Sequence, residues 1–295
     1  MHTHYFPDPD FFIRPTYNCD ASTKWFRICA EHYDKPLYVI DVPNESLDKG
    51  STLDYVAAQV ERTCLEVSRQ LGVPLTDAKI REVFSLSNQA RANMLEARAL
   101  RAHTPSPYSG WAGLSLPFLF YHFYGTREGV EGSSMIVDEI ARKIVDKRYP
   151  VNPEKYRVYW IGPYHSFPNP FFKWLEREMG VSIVFDEYSE VSWGELDAGD
   201  PFRSLARNIL RWHHLGSTER RYELFLNSVR ELHAQGVIYF SNWGCRMGTG
   251  AVKVYKKLFG EQGIPFIDMD VDPCDERDFN LPSLKERIEG FLATI

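Results

Sequence analysis

The 295 residues carry a formal charge of −6 at neutral pH, which leaves no basic footprint for nucleic acid. At 44% apolar and 25% charged residues the composition is that of a soluble globular chain, and no apolar run approaches a membrane span. The first residues lack the charged and apolar regions of a secretory signal, so the cytoplasm is the expected compartment.

Residues 11–16 read as a strand, 17–20 as the loop after it, and Asp20 or Ser22 as the N-cap of a helix through His32. A second strand spans 37–43. Helical spacing follows from Leu53 to Leu71, and again from about Ala78 to Ala102 behind a Thr76-Asp77 cap. The polar face of that second helix carries Arg81, Glu82, Arg91, Arg98 and Arg101, and reads as solvated or partner-facing. Gly110, Gly113 and Pro117 predict an irregular course for the apolar stretch 114–124, and one further helix is expected at 133–145.

Prolines accumulate at 149–154, where the periodic pattern stops. This stretch predicts a boundary between a partial N-terminal α/β domain with a helical region (1–150) and a C-terminal doubly wound α/β domain (151–295). Strands are expected at 156–161, 181–185, 237–240 and 264–269, with helices at 171–179, 201–212, 218–234, after Ala251, and 284–293. Four strands with helical crossovers make a parallel sheet. The expected fold is therefore α/β, with two Rossmann-like parallel-sheet domains, a helical insert, and a cleft between them.

Cys245 falls on the loop from the carboxyl end of the 237–240 strand to the next helix, where open α/β sheets bind ligands. A sulfur there meets unpaired helix N–H groups and the positive end of the helix dipole. Cys19 holds the same local position in the first β-α-β unit. Cys29 and Cys64 lie inside helical periodicity and read as packing residues. The strand ends of the second domain also carry Tyr164 and His165, Asp186 to Tyr188, and Asp270 to Cys274, all on one rim. If the two domains face each other, Cys19 and Cys245 meet, and two such thiolates suit a soft metal site such as an iron–sulfur cluster. Ordinary loop cysteines are the competing reading. A cysteine nucleophile with His165, His213 or His214 as its base is another, although the His213-His214 pair at a helix end also suits carbonyl capping. The glycines at 244, 248 and 250 resemble a phosphate-cradling loop but lack a lysine-serine pair, and tight-turn glycines account for them equally.

The segment Val237-Ile-Tyr-Phe-Ser-Asn-Trp-Gly-Cys-Arg246, followed by Gly263-Ile-Pro-Phe-Ile-Asp-Met-Asp270, resembles the carboxyl-terminal signature of the 2-hydroxyacyl-CoA dehydratase and benzoyl-CoA reductase subunits. The block from Pro7 through Asn18-Cys19-Asp20 and Trp25 to Pro43 is similar to that family's first-domain block. Pro105 to Gly110, Asp200 to Ala206, and the closing Asp275-Glu-Arg277 and Arg287-Ile-Glu-Gly-Phe-Leu292 also fit. The resemblance covers essentially the whole chain. It implies a heterodimer with a homologous second subunit, each subunit usually holding one [4Fe–4S] cluster through three cysteines. It also implies a separate ATP-hydrolysing iron–sulfur activator that injects a low-potential electron. That electron passes to an acyl-CoA thioester, generating a ketyl radical. Cys19 and Cys245 match two of the cluster ligands.

The β-α unit that carries the family's first ligand is expected to be missing upstream of Cys19. Cys274 is a substitute on the same rim, with a packing or solvent-facing thiol as the other reading. Trp243, Arg246 and Tyr164 fall where substrate or cluster surroundings are expected. Core packing beneath the loop competes for Trp243, and pairing with Asp270 or Asp272 for Arg246. Two hypotheses follow: a cluster-bearing subunit acting on an acyl-CoA, or a truncated or degenerate member that keeps the fold and the partner surface without an intact cluster.

Overall fold

A computed structural model of the chain describes residues 8–17, 19–44 and 50–295, apart from the side chains of residues 115 and 117–120. Pro7 and Asn18 of the resemblance motif lie outside the described residues. In chain order the first elements are β1 (Phe12–Pro15), α1 (Asp20–Tyr33), β2 (Leu37–Ile40), α2 (Gly50–Leu71), α3 (Asp77–Arg101), α4 (Gly110–Phe123) and α5 (Arg127–Val145). They are followed by β3 (Tyr156–Ile161), α6 (Phe171–Lys173), β4 (Val181–Asp186), α7 (Pro201–Arg211) and α8 (Thr218–Glu231). The last are β5 (Gly236–Asn242), α9 (Arg246–Glu261), β6 (Phe266–Val271) and α10 (Leu281–Leu292). The fold is α/β with parallel sheets.

The chain forms two compact units. The first comprises the described residues up to Arg81 together with Ser192–Gly216. In it β1 and β2 pair in parallel, Phe12 opposite Leu37 and Pro15 opposite Ile40, with α1 as the crossover. The buried face of α2 presents Val56, Ala57 and Val60 to Ala206 and Leu210 of α7 and to Leu215, a core separate from that of the second unit. Each of these valine and leucine side chains contributes about 1.5–3 kcal/mol when fully buried.

The second unit, Glu82–Val191 with Ser217–Ile295, holds a four-stranded parallel sheet in the order β4-β3-β5-β6. The proline-rich stretch 149–154 runs between α5 and β3 inside this unit. Its strands are nearly continuous apolar runs because both faces are covered. Period-two alternation divides them: Val158, Trp160, Ile238 and Phe240 point to one core with Phe171, Trp174, Ile288 and Phe291. Tyr159, Ile161, Val237 and Tyr239 point to the other, with Phe225, Tyr255 and Phe259. From β3 the chain passes to β4 on one side and later returns to β5 on the other. The strand order therefore reverses between β3 and β5, and the crevice outside their carboxyl ends is the binding position of such sheets.

Several local expectations are corrected. Residues 110–123 form one helix despite their glycines and Pro117, because those glycines permit close packing. A Cβ on Gly110 would collide with Ile183 of β4, and one on Gly113 would lie 2.8 Å from the Arg101 guanidinium. The arginine face of α3 is partly interior: Arg101 is buried over the rings of Phe185 and Tyr108, and Arg98 pairs with Glu231 and Glu190. The helix expected at 171–179 is a single α turn continued as a π-helix over Trp174–Glu178. β6 begins at Phe266, not Ile264, since Pro265 cannot donate to the ladder and instead offers its carbonyl to Val237.

Candidate functional site at the strand ends

Cys245 is the N-cap residue of α9, extended at φ −103° and ψ 102°, and its Sγ accepts the Gly248 N–H at 3.4 Å. It thus occupies the crevice end of β5, with one of the helix's unpaired donors aimed at the sulfur. The first turn of α9 is held from beneath by Tyr239 of β5, whose hydroxyl donates to the Gly248 carbonyl at 2.8 Å. Burial raises the Tyr188 and Tyr239 phenols well above their ordinary range, with Cys245 among the nearby groups that add to the effect.

Under the same crevice lies a buried ion pair between Glu187, just past β4, and Arg221 of α8. The second carboxylate oxygen of Glu187 accepts the Gly162 N–H at 2.9 Å, locking the turn at the end of β3. Gly162 has φ +89°, and any Cβ there would collide with the Phe240 carbonyl of β5. Only glycine lets the two strands approach this closely while the chain turns.

Three loops of the rim are tied together. The Asp272 carboxylate accepts the Cys274 and Asp275 N–H groups at 2.9 and 3.0 Å through one oxygen. Its other oxygen accepts the Trp243 indole N–H at 3.2 Å. These backbone donors, with the indole, hold the Asp272 carboxyl below its ordinary range. Ser166, in the loop after β3, donates its N–H and its hydroxyl to the Pro273 carbonyl at 2.7 and 2.8 Å.

Within that frame Trp243 is 63% exposed, which removes core packing as its role. Tyr164 is half-buried, its ring edge-on to Trp111 at 5.4 Å. Arg246 is exposed in the first turn of α9, and Cys274 is exposed with its backbone fixed by Asp272. His165 is enclosed by the rings of Phe167, Phe240 and Phe279. Burial lowers its pKa to about 4, against an opposing pull from Asp272. So weak a base does not deprotonate a thiol at neutral pH, which argues against its part in a cysteine-nucleophile mechanism.

In the first unit Cys19 is the N-cap residue of α1, at φ −118° and ψ 117°. This corrects the expected caps: Asp20 is already helical, and Ser22 donates its hydroxyl to the Cys19 carbonyl at 2.8 Å. The Cys19 side chain makes no capping bond and is exposed. The loops after β1 and β2 are joined by Asp41, which accepts from the Thr16 and Tyr55 hydroxyls at 2.8 and 2.9 Å. Gln59 of α2 brackets the Asp41 backbone, accepting its N–H and donating to its carbonyl. Cys19 and Cys245 therefore share one local design: a parallel strand, a short loop, and a cysteine that opens the following helix.

Glu187 and Gly162 had no individual role in the sequence, and Asp272 stood only as a partner for Arg246, because each acts through a partner distant along the chain. A Gly-Pro pair closing a strand signals the turn but not the carboxylate that holds it.

The architecture is that of an α/β protein with parallel sheets and a cysteine opening a helix after a strand in each unit. The chain belongs to the 2-hydroxyglutaryl-CoA dehydratase D-component family, which it matches over residues 1–295. It is 25% identical to the (R)-phenyllactyl-CoA dehydratase alpha subunit of Clostridium sporogenes, over 96% of this chain and 70% of that protein. It is also 25% identical to a subunit of the benzoyl-CoA reductase of Thauera aromatica, over 98% of this chain and 71% of that one. With the (R)-2-hydroxyglutaryl-CoA dehydratase alpha subunit of Acidaminococcus fermentans it shares 21% identity, over 97% of this chain and 60% of the relative. Among the described residues no helix is long and apolar enough to cross a membrane.

Proposed function

We propose that this chain is the cluster-bearing subunit of a cytoplasmic 2-hydroxyacyl-CoA dehydratase or benzoyl-CoA reductase-type enzyme, with Cys19 and Cys245 as ligands of a [4Fe–4S] cluster. The observation that carries the reading is the repeated placement of a cysteine at the N-cap after a parallel strand. The donor set fits: both sulfurs are soft ligands outside any disulfide, and a helix N-terminus favours negative charge on them. Cys274 is the candidate third ligand, on a loop that Asp272 holds in place. Bound there, the cluster would supply a low-potential electron for reduction of a thioester carbonyl.

The remaining work falls to the chain's own residues. The Gly248 N–H and the tyrosines under α9 set the polarity around Cys245. Trp243, steered by Asp272, offers an indole face to an acyl group, and Tyr164 and Arg246 flank the same rim. Gly162, locked by Glu187, lets the end of β3 turn closely against Phe240 of β5 at the edge of the crevice. Since the relatives are themselves subunits of larger enzymes, the proposal includes a homologous second subunit, together with an ATP-dependent iron–sulfur activator.

The test is anaerobic co-expression with a homologous subunit, followed by assay with a panel of 2-hydroxyacyl-CoA and aryl-CoA thioesters, ATP and an activator. ATP-dependent turnover that Cys245→Ser abolishes supports the proposal. Turnover that survives Cys245→Ser contradicts it.

A further inference from the structure

Beside the rim, and wholly within the second unit, a pocket of about 680 Å³ lies between the start of α4 and the segment 166–177. Its size is in the range of small-molecule sites. One wall is the Trp111 indole, 41% exposed, with one face packed against Phe172 at a centroid distance of 4.7 Å and 30°. Lys173 and Arg177, four residues apart on one helical segment and both exposed, line the same pocket. Among the described residues neither has an ion-pair or hydrogen-bond partner. The one carboxylate in the wall, Glu176, is engaged at the start of α4, where it accepts from the Ser109 hydroxyl at 3.0 and 2.9 Å and from the Trp111 N–H at 3.2 Å. That bond also fixes the backbone that presents the indole.

An aromatic side chain and two cations lining one pocket suit a planar base that bears phosphates. The pocket adjoins the rim directly. Ser166 lines it and is bonded to the Pro273 carbonyl, and Tyr164, two residues earlier, packs edge-on against Trp111. We propose that this pocket holds the phosphorylated adenosine end of a coenzyme A thioester, with the adenine against Trp111 and its phosphates on Lys173 and Arg177. The pantetheine arm would then run past Tyr164 toward the crevice. The assignment to coenzyme A rests on the function proposed above; the preference for a phosphorylated planar base stands on the pocket alone.

The experiment is calorimetric titration of the full chain with free coenzyme A, adenosine 3′,5′-bisphosphate and ATP, for wild type, Trp111→Ala and the surface double variant Lys173→Glu/Arg177→Glu. Coenzyme A and the bisphosphate are expected to compete for one site. The double variant should weaken both about tenfold or more, and loss of the stacking face should do the same. Circular dichroism establishes that the variants are folded, and the charge reversal, at two exposed positions, keeps the test valid if Trp111→Ala is not. Unchanged coenzyme A affinity in the folded double variant would overturn the site. ATP binding as tight as the bisphosphate would overturn the assignment to coenzyme A. Neither result bears on iron content, so failure here is distinguishable from failure of the cluster reading.

Discussion

Replacing Arg221 with methionine should destabilise the second unit by about 3–5 kcal/mol, the usual cost of removing one partner from a buried ion pair. The side chains of Arg221 and Glu187 are only 7% and 1% exposed, so water cannot replace the lost guanidinium. At 4 Å and an effective dielectric of 20, a unit-charge pair is worth about 4 kcal/mol, which agrees with that range. Methionine nearly conserves the volume, but it loses the cation's contacts with the Phe225 and Tyr255 rings, at 5.4 and 5.9 Å. The decisive comparison is the double variant Glu187→Gln/Arg221→Met. Glutamine still accepts the Gly162 N–H, and no charge remains buried, so the double variant should be more stable than either single one by about 2 kcal/mol or more. Urea unfolding at neutral pH, followed by tryptophan fluorescence on iron-free protein, measures all four corners of the cycle. A single Arg221→Met cost below about 1 kcal/mol, or a double variant as unstable as the sum of the singles, would refute this account of the crevice floor.

Gly162→Ala should cost about 2–3 kcal/mol, because φ +89° is strained for any L side chain and the added methyl meets the Phe240 carbonyl; thermal melting by circular dichroism checks it. Glu190, buried beside Tyr159 and Ser228, has its pKa pushed up from 4.5 to about 7 by burial, with Arg98 opposing. Between those values the folded chain keeps a proton that the unfolded chain releases, so stability falls as pH rises through the window. Glu190→Gln should therefore gain about 2–3 kcal/mol relative to wild type between pH 4 and pH 8, read as the change in the difference between their urea midpoints. Asp272→Ala frees the Trp243 indole and the Cys274 and Asp275 N–H groups to exposed solvent, so global stability should drop by only about 1 kcal/mol. Amide exchange at Cys274 and Asp275 should nevertheless accelerate, and unchanged exchange would contradict the proposed tying of the rim.

The four-stranded sheet was largely legible because its signals are local. Short β-rich runs alternating with helical spacing implied a parallel sheet, and polar residues after each run marked the rim. Cys245 was readable as a strand-end residue, and the structure adds that its sulfur caps α9. What was illegible depends on distant partners. Glycines in α4 read as helix breakers, yet they are the contacts that let the helix lie against Ile183 and Arg101. Arg101 sits among exposed-looking arginines on α3, and only its stacking on Phe185 and Tyr108 shows that it is interior. The packing of α7 on α2 joins segments far apart in the chain, and no periodicity announces it. The same holds for Lys173 and Arg177, ordinary surface cations until Trp111 is found lining the same pocket.

If Cys19 and Cys245 hold an iron–sulfur cluster, as proposed, each is needed for iron to stay on the chain. Anaerobic purification, with iron and acid-labile sulfide counted per chain for wild type, Cys19→Ser and Cys245→Ser, tests it most directly. About four of each are expected in the wild type, with their loss in both variants while circular dichroism shows the fold intact. No iron after anaerobic reconstitution and co-expression with a partner subunit, or iron retained in both variants, would contradict it.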